Sequence, residues 1–279
     1  MKKILSVITV AVLLSAMLVS CKQNADVTRQ DTTESTTVTT TTATTTEDIS
    51  TTFEEAHTYK IYPALQKDPD GSYPYEASSF TTYYQPSNET RTTNIQNAVS
   101  RLDDLCIPDG ATFSFNQTVG KRTVLAGYEE AKIVKGDEFV DGLGGGICQV
   151  SSTIFQAALR ANLDITVRAC HSLEISYVPL GADATVQWNS QDFQFKNDSG
   201  SDLRLSVYAS DGKLNCTIYA QDDIAPGDLS VDISKSGETY TLTRTVNGTV
   251  NYSTSSKYQK PKETTTKEDL KPSPLGHPS

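Results

Sequence analysis

The chain has 279 residues, with 24 Lys and Arg against 34 Asp and Glu and a formal net charge of −10. Such acidity excludes a nucleic-acid partner and disfavours tight binding to anionic wall polymers or lipid headgroups, leaving neutral or cationic partners. The length suits one folded domain with unstructured segments around it.

The first residues are Met1-Lys2-Lys3, an apolar run over residues 4–19, then Ser20-Cys21. A basic start, a short apolar core and a small residue before a cleavage point describe a secretory signal over residues 1–20. The run is too short for a transmembrane helix. Leu18-Val19-Ser20-Cys21 resembles the bacterial lipobox, which makes Cys21 the lipidated first residue of the mature protein. The competing reading is a secreted protein in which Cys21 is incidental. The expected location is the outer face of the cytoplasmic membrane, with the membrane as partner through the N-terminal lipid. Removing Lys2 and Lys3 with the leader brings the net charge to −12.

Residues 21–79 are dominated by Thr, Glu, Asp and Ser, and Thr39 to Thr46 is Thr apart from Ala43. So little apolar surface cannot offset the entropy of ordering, and the segment is expected to be a disordered tether. A flexible chain of that length reaches roughly 40 Å. Tyr59, Tyr62, Tyr73 and Tyr75 complicate its end, since they are able to pack on a neighbouring domain, but Pro63, Pro69, Gly71 and Pro74 oppose an independent fold.

The folded part is expected over residues 80–222, with a β extension over 223–260 and a disordered tail over 261–279. Ile95, Ala98, Val99 and Leu102 suit one face of a helix, with Thr93 or Asn94 as its N-cap. Pro108-Asp109-Gly110 is a turn, and Thr112 to Phe115 alternate as a strand does. Gly142-Leu143-Gly144-Gly145-Gly146 breaks the pattern, and Cys148 then opens a helix with Val150, Ile154, Phe155, Ala158 and Ala161 inward and Asn162 as its stop. A strand is expected over 164–170. Hairpins should turn at Asp211-Gly212 and at Asn247-Gly248. The class is α+β, an antiparallel sheet packed on one main helix.

One constellation carries chemistry. A thiol in a helix's first turn sees the positive end of the dipole and unpaired N–H groups, which lower its pKa and make it a nucleophile. Gly144, Gly145 and Gly146 before it allow close approach of a substrate backbone, and with Gln149 they are candidate oxyanion donors. Of three histidines, His57 lies in the tether and His277 in the tail, which leaves His171 as the base. Asp183 follows and is placed to orient it. A helix-start Cys, a strand His and a later-strand Asp resemble the order in transglutaminase-like and papain-like enzymes.

Structural explanations compete with each assignment. Cys148 is able to be a small buried residue under a tight turn, His171 a hydrogen-bonded structural residue and Asp183 a turn cap. In an oxidising compartment Cys106, Cys148, Cys170 and Cys216 allow three disulfide pairings, and Cys148 with Cys170 would remove the nucleophile. A metal at Cys148, Cys170 and His171 is disfavoured, because neighbours 170 and 171 on a strand point to opposite faces. No metal and no cofactor is expected.

Several blocks taken in order resemble the VanW family. These are Pro108-Asp109-Gly110-Ala111-Thr112-Phe113-Ser114-Phe115-Asn116, Val119-Gly120 and Gly127-Tyr128, then Gly144-Gly145-Gly146-Ile147-Cys148-Gln149-Val150-Ser151-Ser152-Thr153. His171-Ser172, Tyr177-Val178-Pro179, Gly181, Asp183-Ala184 and Phe195-Lys196-Asn197 continue them. The resemblance implies a bacterial surface protein and points loosely to peptidoglycan, since the namesake accompanies some glycopeptide-resistance gene clusters. It implies no particular reaction. Compared with longer relatives, the chain is expected to lack their extra N-terminal domains and to have a short β extension where some carry a wall-associated module. The expected function is a surface-anchored thiol enzyme on cell-wall peptide, by acyl transfer or hydrolysis. The alternative is a non-catalytic module that binds peptidoglycan precursor or another envelope protein through the Gly-rich loop.

Overall fold

The computed structural model describes residues 60–262. The expected signal segment 1–20, Cys21, the expected tether to residue 59 and the tail beyond residue 262 lie outside the described residues, as do His57 and His277.

Within them the architecture is α+β, built of twelve strands and three α-helices in the order β1 (Tyr75–Tyr83), α1 (Glu89–Leu102), β2 (Leu105–Ile107), β3 (Thr112–Ser114), α2 (Phe115–Val119), β4 (Glu130–Lys135), β5 (Glu138–Leu143), α3 (Ile147–Arg160), β6 (Asp164–Val167), β7 (Gln194–Lys196), β8 (Leu203–Ser210), β9 (Lys213–Ala220), β10 (Leu229–Ser236), β11 (Thr239–Val246) and β12 (Thr249–Lys257). Four antiparallel groups result. The main sheet runs β1-β9-β8-β2, and the smaller ones run β3-β7-β6, β4-β5 and β10-β11-β12.

Helix α3 is central. It packs on β1 and β9, on α1, and on β6 and β10. Its side chains from Gln149 to Leu159 are buried, as expected of a helix covered on every side. Each Ile, Leu or Phe it buries contributes roughly 1.5–3 kcal/mol of transfer free energy. Asn162 stops it in the left-handed region, at φ 57°. The hairpin at Asp211-Gly212 joins β8 to β9, and the one at Asn247-Gly248 joins β11 to β12. All four turn residues have positive φ, the signature of the tight turn whose twist matches its strands.

Three expectations need correction. The tether's boundary at residue 79 falls inside β1. Tyr73 is buried, and its hydroxyl donates to Asp68 Oδ2 at 2.9 Å and contacts Cys106 Sγ at 3.3 Å. The Tyr62 hydroxyl bonds Gln194 Oε1 at 3.0 Å. The aromatics near the tether's end thus find a ready-made surface, which a composition argument does not see. The N-cap of α1 is Asn88, five residues before Thr93 and six before Asn94, and its side chain accepts from the Arg91 N–H at 3.1 Å. Asn94 is instead buried, and donates to the carbonyls of Glu129 and Gly145. The strand expected over 164–170 ends at Val167, and from there to β7 the chain has no regular strand.

Residues 223–260 form β10 to β12 and are stitched to the rest. Leu242 lies in the common core. The buried Arg244 guanidinium donates to the carbonyls of Leu159 (3.3 Å) and Leu163 (2.8 Å), so it covers the carbonyl end of α3.

Candidate active site

The three glycines before α3 are needed for shape. Gly144 and Gly146 have φ of 83° and 109°, and Gly146 is the helix N-cap. A Cβ on Gly145 would lie 2.7 Å from the Ala131 backbone and from the Lys132 carbonyl oxygen, so β4 lies directly on the turn. The glycines are buried. The Gly144 N–H donates to the Glu129 carbonyl, and the Gly145 carbonyl accepts from Asn94. The expected docking loop is therefore a packed turn whose backbone faces the protein.

Gln149 also departs from expectation. It is buried, its Oε1 accepts from Arg91 Nη2 at 2.8 Å, and its Nε2 donates to Thr82 Oγ1 at 3.1 Å and to the Tyr83 carbonyl at 2.8 Å. Both amide hydrogens are spent, so this side chain does not donate to an oxyanion.

Cys148 is the second residue of α3 and is partly exposed. Its Sγ lies 3.5 Å from Thr185 Oγ1 and 3.4 Å from the Val186 carbonyl, and it is hydrogen-bonded to the His171 imidazole. His171 Nδ1 lies 2.6 Å from Asp183 Oδ2, which leaves Nε2 for the sulfur side. Asp183 also accepts the His171 backbone N–H at 2.7 Å. The sequence-derived Cys148, His171 and Asp183 are thus brought together. His171 and Asp183 sit in the irregular stretch after β6, whereas strands had been expected.

Electrostatics follow from these contacts. Burial pushes the Cys148 thiol up, but the hydrogen bond and charge of His171 outweigh it and bring the pKa to about 7. For His171 burial favours the neutral ring, yet Asp183 and Cys148 together raise its pKa to about 10. Burial opposes ionisation of Asp183, and His171, Arg168 and Tyr258 overcome that and hold its pKa below the usual carboxylate range. Between about pH 7 and 10 the pair is therefore thiolate and imidazolium. Arg91 and Arg122 add positive charge that the sulfur feels.

The sequence reading missed the groups that hold Asp183. Arg168 pairs with it through Nη2 at 3.1 Å, and Arg168 Nε donates to its backbone carbonyl at 2.6 Å. The Tyr258 hydroxyl donates to Oδ1 at 2.6 Å and accepts the Gly181 N–H. Three polar residues of α3 carry the Asp183 segment. Ser151 donates to the Ala184 carbonyl, Ser152 accepts the Ala184 N–H, and Gln156 donates to the Ala182 carbonyl. Buried polar residues on so apolar a helix were the available signal. Tyr177 closes the far side, its hydroxyl 3.5 Å from His171 Nε2.

Cys148, Cys170 and Cys216 carry free thiols, so none of the three disulfide pairings forms. Among the described residues no group of three or more His, Cys, Asp or Glu is placed to hold a metal ion, and no helix is long and apolar enough to cross a membrane.

Residues 90–219 match the family described as VanW like protein. The chain carries a VanW-like domain over these residues. The matched span contains Cys148, His171 and Asp183, while Tyr258 lies beyond it. Among similar proteins, an uncharacterized protein of Bacillus subtilis, YoaR, is 40% identical over 149 residues, covering 53% of this chain and 49% of that one. The vancomycin B-type resistance protein VanW of Enterococcus faecalis is 27% identical over 166 residues, covering 58% of this chain and 59% of the relative. The chain spans about half the length of these relatives. No solved structure matches.

Proposed function

We propose that this VanW-like protein is a thiol enzyme, held outside the cytoplasmic membrane by a lipidated Cys21, that acts on cell-wall peptide by acyl transfer or hydrolysis. The observation that carries the reading is the continuous hydrogen-bonded order Cys148, His171, Asp183 at the start of a buried helix. Its direction towards the cell wall rests on the leader sequence and on a relative named for vancomycin resistance.

The chemistry proceeds in two steps. The Cys148 thiolate attacks a peptide carbonyl carbon, and the oxyanion forms against the Cys148 backbone N–H, in the first turn where helices leave donors unpaired. His171 gives its Nε2 proton to the departing amine as the C–N bond breaks, leaving a thioester and a neutral imidazole. Water or a second amine then attacks the thioester, His171 takes the nucleophile's proton, and the thiolate is restored. Asp183 keeps Nδ1 protonated and the ring oriented throughout.

Incubation of the full chain with peptidoglycan-derived peptides, followed by acid quenching and mass spectrometry, should show an acyl adduct confined to Cys148. Absence of any adduct on a thiol that still reacts with small electrophiles would count against the reading.

A further inference from the structure

A cleft of about 480 Å³ opens beside the thiol site. Its walls are β1, the second half of α3, the segment that leads from His171 to Asp183, and β10. Ser79, Phe80 and Thr81 all line it, although successive strand residues point to opposite faces. The hydroxyls of Ser79 and Thr81 meet Thr217 and Asn215 of β9, while Phe80 lies under the Arg160 guanidinium, 4.6 Å from ring centroid to carbon. What three consecutive residues share is the strand's backbone edge, so it is this edge that faces the cleft. Among the described residues β1 pairs only with β9; on its other edge the Tyr83 carbonyl is taken by Gln149 Nε2, and the N–H and C=O groups of Ser79 and Thr81 are left without a strand partner. Across the cleft β10 is likewise an edge strand, paired only with β11, and presents Ile233.

Arg160 supplies a charge. Its Nη1 is held by the Gln156 carbonyl and Oε1, at 3.0 and 2.7 Å. No carboxylate among the described residues is within ion-pair distance of it, and burial alone moves its pKa, downward. A partly buried guanidinium without an anion, in the wall of a cleft, calls for one from outside. Tyr177 lines the same cleft and its hydroxyl lies 3.5 Å from His171 Nε2, so this one side chain stands between the cleft and the thiol site.

We infer that this cleft binds an extended acidic peptide, which adds as a strand to the free edge of β1, sets a carboxylate on Arg160 and leads its backbone past Tyr177 to Cys148. The inference rests on the enzyme reading for its direction, and on the edge strand and Arg160 for its chemistry. Cys148 and Arg160 are twelve positions apart on α3, an axial separation of roughly 18 Å, shortened by about one turn where Arg160 folds back to Gln156. At about 3.3 Å per extended residue the carboxylate belongs roughly four or five residues from the reacting carbonyl. Backbone pairing supplies affinity, and the charged contact supplies register.

The test uses the full chain as Cys148→Ala, so that nothing turns over. The probes are fluorescein-labelled hexapeptides of alternating Thr and Val with a single Glu walked through each position, read by anisotropy. One or two Glu positions should bind about tenfold more tightly than the rest, as one charge-assisted contact allows. Arg160→Gln should erase that preference, Arg160→Lys should restore part of it, and N-methylation of alternate peptide amides should abolish binding. Equal affinities at every position, or indifference to Arg160→Gln, would overturn the inference. So would self-association of the chain that shuts the peptides out, which would give the edge to a second copy. Reactivity of Cys148 is measured separately on the unaltered chain, so a reactive thiol with unselective peptide binding defeats the cleft and leaves the enzyme reading standing.

Discussion

Asp183→Ala is expected to destabilise the folded protein by about 3–5 kcal/mol, the cost of breaking a buried ion pair on one side. Asp183 is fully buried, and four donors converge on its carboxylate: the His171 N–H and ring, Arg168 and Tyr258. Alanine leaves the Arg168 guanidinium, whose side chain is 2% exposed, without its anion. The Tyr258 hydroxyl and the His171 N–H lose their acceptor as well. Urea denaturation reads the loss, and Asp183→Asn should lose less, because it keeps an oxygen but faces one donor with another. The pH dependence has a definite sign. The folded-state pKa of Asp183 lies below its unfolded value, so its contribution is present above about pH 4 and fades as acid titrates the folded carboxylate. The alanine variant should lack that acid-side loss. Unchanged stability in Asp183→Ala would mean that this network does not hold the loop.

Turnover of cell-wall peptide, once detected, should fall on the order of 10⁴-fold in Cys148→Ala and in His171→Ala, with the double variant no worse than either. Groups that act as one unit fail together, whereas two independent binding contacts would multiply. The wild-type rate should rise through about pH 7 as Cys148 ionises and fall through about pH 10 as His171 loses its proton. Additive losses, or a rate indifferent to His171, would assign the site to binding.

Much of this site was legible because its members follow one another in the chain with recognisable local chemistry. Cys148 is announced by the glycines that precede it and by the helical spacing after it. His171 stood out through the scarcity of histidine. What surrounds them was hidden. Tyr258 lies 75 residues beyond Asp183 and reaches it only because Arg244 and Leu242 fasten the last sheet to α3. Arg91 precedes the expected caps Thr93 and Asn94; with Asn88 as the actual cap it falls in the first turn of α1, where its guanidinium donates to Gln149. The β4-β5 hairpin escaped notice because its exposed positions carry charge at nearly every second residue and only Ala131 is fully buried. Periodicity reports which residues an element buries. It is silent on which distant element does the burying, and edge strands and buried ion pairs depend on that.

The central claim is that His171 activates Cys148, and the pH dependence of Cys148 alkylation by iodoacetamide, on the full chain with the labelled site assigned by mass spectrometry, tests it most directly. The expected wild-type midpoint is about 7. In His171→Ala burial, the largest influence on the thiol, is opposed only by the smaller contacts of Val186 and Thr185, so the midpoint should move up to the free-thiol value of about 8.5, slowing labelling at about pH 6 roughly thirtyfold. A wild-type midpoint at or above about 8.5, or profiles that superimpose with and without His171, would contradict the account.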